Sequence, residues 1–260
     1  MSFQIHCLFA QISARIVSEQ QVITAGEDFR LGVMLTIEEE WYTYWINPGD
    51  AGMAPDIKID LPVGFELIDI QYPAPEKFES DEVVSFGYKD SIMFVLRIKN
   101  KITTAGTYPI TIDCSWLVCK EVCLPGNASL TFNIVIGPKD SLNNIQVNKL
   151  LFEYYSSRVP LITDEIELSH TGTGKPFILN IKFNKIFGSE LKLAEVYPFE
   201  NGIFRNIPSP KISSGSEGYS VHFTLEEGID LPSLPLKFLF VFYDSKNKLT
   251  SFESTLNIKK

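Results

Sequence analysis

Apolar and polar positions alternate along much of this chain, in short runs broken by Gly, Pro and Asp. Ile12-Ser13-Ala14-Arg15-Ile16-Val17-Ser18 alternates, and Phe29 to Ile37 keeps its apolar residues at odd positions. A period of two places successive side chains on opposite faces of an extended strand. Ile92-Met93-Phe94-Val95-Leu96-Arg97-Ile98 is apolar almost throughout and predicts a strand buried on both faces. From Tyr108 to Val118 the alternation is clean: Ile110, Ile112, Cys114, Trp116 and Val118 fall on one face. Ser129 to Ile136 closes the set.

The texture changes after Lys139. Leu142, Ile145, Leu150, Leu151, Tyr154 and Tyr155 predict a short amphipathic helix, with Asp140 or Ser141 as N-cap and Pro160 ending it. Alternation then resumes at 178–183, 192–197, 219–225, 236–242 and 252–258. The expected fold is all-β: two immunoglobulin-like β-sandwich domains joined by a short helix. The expected division is a leader remnant or disordered N-terminus at 1–11, a first β domain at 12–138, a helical connector at 139–160 and a second sandwich at 161–260. Residues 1–10 lack the basic start of a secretory signal.

Composition agrees with a folded β protein. Of 260 residues 45% are apolar and 21% charged, and 19 Phe with 10 Tyr favour strands over helices. A net charge of −9 excludes nucleic acid and anionic membrane surfaces as natural partners. No apolar run is long enough to span a bilayer. Nothing in the chain calls for a cofactor or a metal.

The candidate chemistry lies in Trp116-Leu117-Val118-Cys119-Lys120-Glu121-Val122-Cys123-Leu124-Pro125-Gly126. A continuing strand would hold Cys119 and Cys123 about 13 Å apart, whereas a disulfide requires Cα atoms within about 4.4–6.8 Å. Pairing therefore demands a tight bend, as could form around Lys120-Glu121. A helical turn would also bring i and i+4 together, but Pro125-Gly126, read as a break after the pair, argues against a longer helix. A bridge closing so short a loop removes little chain entropy, which favours a chemical role over a stabilising one. Three readings stand: a redox pair, a structural bridge, and a soft-metal site that lacks neighbouring His or Met ligands. Lys120 can lower a nearby thiol pKa, and Glu121 opposes it. Cys114 reads as a buried free thiol, with a Cys114–Cys119 bridge as a minor alternative, and Cys7 as an unpaired thiol outside the fold.

Trp41, Tyr42, Tyr44 and Trp45 offer either a docking surface or a strand core, the latter preferred for the two Trp. Asn47-Pro48-Gly49-Asp50 reads as a tight turn. Residues 76–88, with their run of charges, read as an exposed loop. Phe86 or Tyr88 in that loop is a candidate shield for the cysteine sulfurs.

Several blocks together resemble one family. Trp41-Tyr42-Thr43-Tyr44-Trp45-Ile46-Asn47-Pro48-Gly49-Asp50-Ala51-Gly52, Tyr72-Pro73-Ala74-Pro75-Glu76, Phe86-Gly87-Tyr88 and Trp116 through Pro125 are similar, in this order, to the periplasmic N-terminal region of DsbD-type and ScsB-type thiol:disulfide interchange proteins. The spacing of the cysteines is closer to the ScsB type. Tyr197-Pro198-Phe199 and Gly202-Ile203-Phe204 resemble a weaker ScsB element.

The resemblance implies an immunoglobulin-like redox domain in the periplasm or cell envelope, acting as a thiol:disulfide oxidoreductase. Cys119 and Cys123 would be its redox pair, with Cys119 a guess for the sulfur that forms the mixed disulfide. It implies thioredoxin-like thiol proteins and a membrane electron-donor domain as partners, the chain being either a fragment or a free-standing relative whose donor is another chain. The rival expectation is a non-enzymatic binding or assembly module with a purely structural disulfide.

Overall fold

In the computed structural model the described residues are 11–79, 82–138, 146–172, 176–183, 191–216, 218–231 and 235–258. In chain order they form β1 (Ile12–Ser18), β2 (Ile23–Thr24), β3 (Phe29–Ile37), β4 (Tyr42–Gly49), β5 (Asp56–Asp60), β6 (Phe65–Gln71), β7 (Glu76–Glu79), β8 (Val84–Lys89), β9 (Ser91–Asn100), β10 (Gly106–Cys119) and β11 (Cys123–Gly137). Then follow α1 (Lys149–Ser156), β12 (Leu161–Ile162), β13 (Ile166–Thr171), β14 (Phe177–Phe183), β15 (Lys192–Pro198), β16 (Phe204–Arg205), β17 (Lys211–Gly215), β18 (Gly218–Leu225), β19 (Leu236–Tyr243) and β20 (Leu249–Leu256). The fold is all-β and immunoglobulin-like. Two compact units divide the chain, one drawn from Met1–Tyr44, Pro55–Gln71 and Tyr88–Phe152, the other from Trp45–Ala54, Tyr72–Gly87 and Glu153–Lys260.

In the first unit β1, β3, β9 and β6 form one antiparallel sheet in that order. The long apolar run makes β9 its centre, with Ile92 through Leu96 wholly buried. The other sheet is built on the β10–β11 hairpin, paired from Gly106↔Ile136 to Cys119↔Cys123. β5 flanks β10 from Thr111 to Ser115, and the start of β4 continues that flank at Val118↔Thr43 and Cys119↔Tyr42. The chain's first strands change sheets. β1 pairs β3, whereas β2 lies parallel to β11 at Ile136 and Gly137, as edge strands of immunoglobulin sandwiches do. Ile110, Ile112, Cys114, Trp116 and Val118 are all buried, so the face expected from alternation is the core face.

The helix departs from expectation. It spans only Lys149–Ser156 and buries Phe152 and Tyr155, while Leu150 (80% exposed) and Tyr154 (57%) face water. Asp140, Ser141, Leu142 and Ile145 lie outside the described residues. Tertiary bonds set the start of this helix: the Val147 and Asn148 amides donate to the Glu19 carbonyl, and the Asn148 side chain donates to the Ser18 carbonyl. Arg30, bonded to the Glu19 carboxylate, lies over the Phe152 ring at 5.5 Å.

The second unit has one sheet ordered β12-β20-β19-β15 and another ordered β13-β14-β18-β16, with β17 also on β18. Its core is dense in Phe: Phe177, Phe204, Phe223, Phe238, Phe240 and Phe242 are buried together. Two segments from the first half of the sequence are built into this unit. Trp45 is fully buried against Tyr197 and Phe199, and Phe86 packs edge-on against Tyr197.

The Asn47-Pro48-Gly49-Asp50 block is therefore not a tight turn. β4 runs on through Gly49, because side chains rather than a turn satisfy the backbone here. Asn47 donates to the Pro198 carbonyl at 2.8 Å and accepts from the Gly49 amide, while Asp50 accepts from Val84 and Asn206. Gly49 has φ 89°, and a Cβ there would meet the Val84 carbonyl at 2.3 Å. Residues 76–88 are likewise not an exposed loop but the β7–β8 hairpin, with Val84 through Tyr88 buried.

Candidate active site

The β10–β11 hairpin closes on a disulfide. Cys119 and Cys123 face each other as the last cross-strand pair, with Cα atoms 4.1 Å apart and the Sγ atoms bonded. The bend expected around Lys120-Glu121 is present, held by the Lys120 amide donating to the Val122 carbonyl. The expected break at Pro125-Gly126 is absent, since both residues belong to β11. Pro125 loses nothing by lacking an amide hydrogen if that position faces the unpaired side of the strand. Gly126 sits opposite Trp116, and a Cβ there would be 2.4 Å from the indole Nε1. The glycine is thus what lets the Trp116 ring lie across the hairpin.

The two cysteines differ in position within the sheet. Cys119 has neighbours on both sides, Tyr42 of β4 and Cys123 of β11, and is 1% exposed. Cys123 begins the outer strand and is exposed. Alternation turns Cys119 away from the Val118 face, and cross-strand partners share a face, so Tyr42 and Tyr44 of β4 lie on the Cys119 side. Their rings meet edge-on at 5.5 Å. The buried Tyr44 hydroxyl donates to Cys119 Sγ at 2.9 Å and stands 3.7 Å from Cys123 Sγ. Thr43, pointing the other way, ties β4 to β10 through its hydroxyl and the Leu117 carbonyl.

The aromatic group at the sulfurs is therefore Tyr44. The candidates from sequence are engaged elsewhere: Phe86 packs against Tyr197, and Tyr88 meets Phe94 at 5.8 Å. The parity of Trp41-Tyr42-Thr43-Tyr44-Trp45 already separates the two tyrosines from Trp41 and Trp45. What that parity lacks is the knowledge that β4 runs beside Cys119.

The charges at the tip offset one another. Lys120 forms an ion pair with Glu40, which lowers the Glu40 pKa and raises that of Lys120. Both groups are exposed, so their effect on the sulfurs is screened. Among the described residues no cluster of His, Cys, Asp and Glu could hold a metal ion.

Cys114 is a buried free thiol, as expected, and Ala128 is its cross-strand partner. Burial pushes its pKa up to about 11, with Asp113 and Asp56 adding to the shift. Cys7 lies outside the described residues. No helix among the described residues is long and apolar enough to cross a membrane.

An immunoglobulin-type β domain with a disulfide at the tip of its longest described hairpin defines a class, that of β-sandwich domains with a hairpin-tip disulfide. Residues 13–133 match the family described as thiol:disulfide interchange protein DsbD, N-terminal. The chain is similar in fold to the N-terminal periplasmic domain of ScsB from Proteus mirabilis, with a TM-score of 0.70, 16% identity, and 96% of this chain and 94% of that one covered. A protein of unknown function from Porphyromonas gingivalis W83 aligns at 8% identity over 96% of this chain and 100% of that one, with a TM-score of only 0.27. A search of the curated proteins found no match.

Proposed function

We propose that the chain is an envelope thiol:disulfide interchange module in which Cys119 and Cys123 cycle between disulfide and dithiol. The redox domain is assigned to residues 12–138, and its partners are periplasmic thiol proteins of thioredoxin type and a membrane electron-donor domain. The observation that carries this reading is the asymmetry of the pair: one exposed sulfur, and one buried sulfur with a hydroxyl donor at 2.9 Å. A bridge closing so short a loop constrains the unfolded chain by only about 2 kcal/mol, less than a long-range bridge would, so stability is the weaker reason for it.

The asymmetry orders the steps. A thiolate of the partner dithiol attacks exposed Cys123 Sγ, forming the mixed disulfide and breaking the Cys119–Cys123 bond. Cys119 leaves as a thiolate, stabilised by the Tyr44 hydroxyl, and then takes a proton. The partner's second thiolate attacks its own sulfur in the mixed disulfide, and Cys123 leaves as a thiolate that is protonated in turn. The partner dithiol is oxidised by two electrons and the protein disulfide is reduced by two. Exposure thus favours Cys123, rather than Cys119, as the sulfur of the mixed disulfide. Its exchange chemistry needs no metal or cofactor, because both electrons stay on sulfur.

The test is the equilibrium potential of the pair in a glutathione or dithiothreitol series, read by thiol alkylation and mass spectrometry. A reversible couple well above about −300 mV is expected. A bridge that resists reduction until the domain unfolds would make the disulfide structural and overturn the proposal.

A further inference from the structure

The outer side of β11 is an open sheet edge that starts at the redox pair. β10 covers one side of β11 along its whole length, while the other side pairs only with β2, at Ile136 and Gly137. Among the described residues nothing pairs with the outer side of Leu124–Val135. In an antiparallel pair every second residue points its amide and carbonyl away from the partner strand, so this stretch presents a row of unused donors and acceptors.

Sheets normally guard such an edge with charged residues, bulges or very short strands. The other long terminal strands here do so. β1 carries Arg15, β6 carries Glu66 and Asp69, β7 carries Glu76, Lys77 and Glu79, β13 carries Glu167, and β15 carries Lys192 and Glu195. β11 has no charged residue at all, and its exposed positions include Asn127, Ser129, Thr131 and Asn133. Its one proline stands next to the tip, leaving the rest of the edge free to pair.

Sulfur chemistry supplies the occupant. A mixed disulfide holds two Cα atoms within about 4.4–6.8 Å, and opposed residues of an antiparallel pair stand about 4.5–5.5 Å apart. A chain bonded to Cys123 from the open side is therefore already at strand-pairing distance from β11. Cys119 offers no such approach, because β4 and β11 occupy both of its sides.

We propose that the Leu124–Val135 edge of β11 is the docking strand for the redox partner, which adds the extended segment around its reactive cysteine to this sheet while it exchanges at Cys123. This rests on the thiol-exchange reading above. Recognition then runs mainly through backbone hydrogen bonds, which read extended shape more than side-chain identity and suit a module that meets more than one thiol protein.

The direct test uses the full chain carrying Cys119→Ser, with Cys123 joined chemically to an uncharged peptide bearing about a dozen residues on each side of its single cysteine, or to glutathione. Alternate amides of Leu124–Val135 should exchange hydrogen at least about tenfold more slowly in the peptide adduct than in the glutathione adduct, the signature of added strand pairing. Methylating alternate peptide nitrogens should abolish the protection. Equal exchange in the two adducts would overturn the proposal. Because this bond is made chemically, the outcome does not depend on whether the native pair is a working redox couple. Protection already present in the free chain and rising with its concentration would give the edge to a second copy and overturn the partner assignment.

A kinetic arm uses intact cysteines. Ser129→Lys with Thr131→Lys should slow reduction by reduced thioredoxin at least about fivefold, since charge on an edge opposes strand addition. Reduction by dithiothreitol should keep its rate, which also reports an intact tip. Unchanged rates with thioredoxin would remove the edge from the mechanism.

Discussion

One hairpin carries two kinds of cysteine, and its middle and its tip treat the thiol in opposite ways. At the middle of β10, Cys114 points into the core opposite Ala128, and burial pushes its pKa up to about 11. At the tip, Cys119 is as well buried but sits opposite a second cysteine and beneath a tyrosine hydroxyl. Burial alone therefore does not separate an inert thiol from a reactive one. The difference lies in the cross-strand partner and in one donor aimed at the sulfur. Burial without a donor disfavours the thiolate, whereas a hydrogen bond to sulfur favours it.

Removing the partner breaks the comparison most completely. Cys119→Ser and Cys123→Ser should each abolish turnover of a dithiol substrate, because neither leaves a second sulfur to close the disulfide. Cys114→Ala should leave turnover within about twofold, with only a modest loss of core packing. The check is the rate of thioredoxin-coupled reduction for the three variants. Loss of turnover in Cys114→Ala with its fold intact would mean that the middle of the hairpin takes part in exchange.

Removing the donor sharpens the comparison by making the tip resemble the middle. Tyr44→Phe keeps the ring and its contact with Tyr42 but deletes the hydroxyl at Cys119 Sγ. A hydrogen bond to a charged group is worth about 1.5–3 kcal/mol, so the Cys119 thiol pKa should rise by about one to two units. Exchange that expels Cys119 should slow by an order of magnitude or so, since a more basic thiolate leaves less readily. Measuring the Cys119 pKa by alkylation against pH in a Cys123→Ser background separates this from a packing effect. An unshifted pKa would show that Tyr44 only fills space.

These features were not equally visible in the sequence. Period-two alternation gave β10 and its buried face from Ile110 to Val118, because a strand packed on one side leaves that trace wherever it lies. The cysteine pair is legible for a similar reason: its constraint is local, because two cysteines four residues apart pair only if the chain bends between them. Tyr44 was not assigned to the sulfurs, since the pairing of β4 with β10 joins residues far apart in sequence. The same non-local packing hid the role of Asn47 and Asp50, whose side chains bond residues near Pro198 and Asn206. Pro125-Gly126 misled because its context was invisible: at a sheet edge a proline is tolerated, and opposite Trp116 a glycine is required. The apolar spacing from Leu142 to Tyr155 does not show where helix α1 starts, because bonds to Glu19, not a capping side chain, mark that point.

The last expected effect, on stability rather than on turnover, returns to the middle of the hairpin. In the oxidised protein the folded state holds the Cys114 thiol neutral up to about pH 11, whereas an exposed cysteine in the unfolded chain ionises near about 8.5. Here the folded-state pKa is the higher one. Its contribution to stability is therefore fully present below about pH 8.5 and is lost as pH rises through about 11, because the unfolded chain gives up the proton first. Urea unfolding of the wild type should weaken across this window relative to Cys114→Ala, with both proteins carrying the same tip disulfide. Taking the difference between them cancels every other alkaline group, including the tyrosines. Parallel curves would place Cys114 in contact with water, and the contrast between middle and tip would then rest on the cross-strand partner alone.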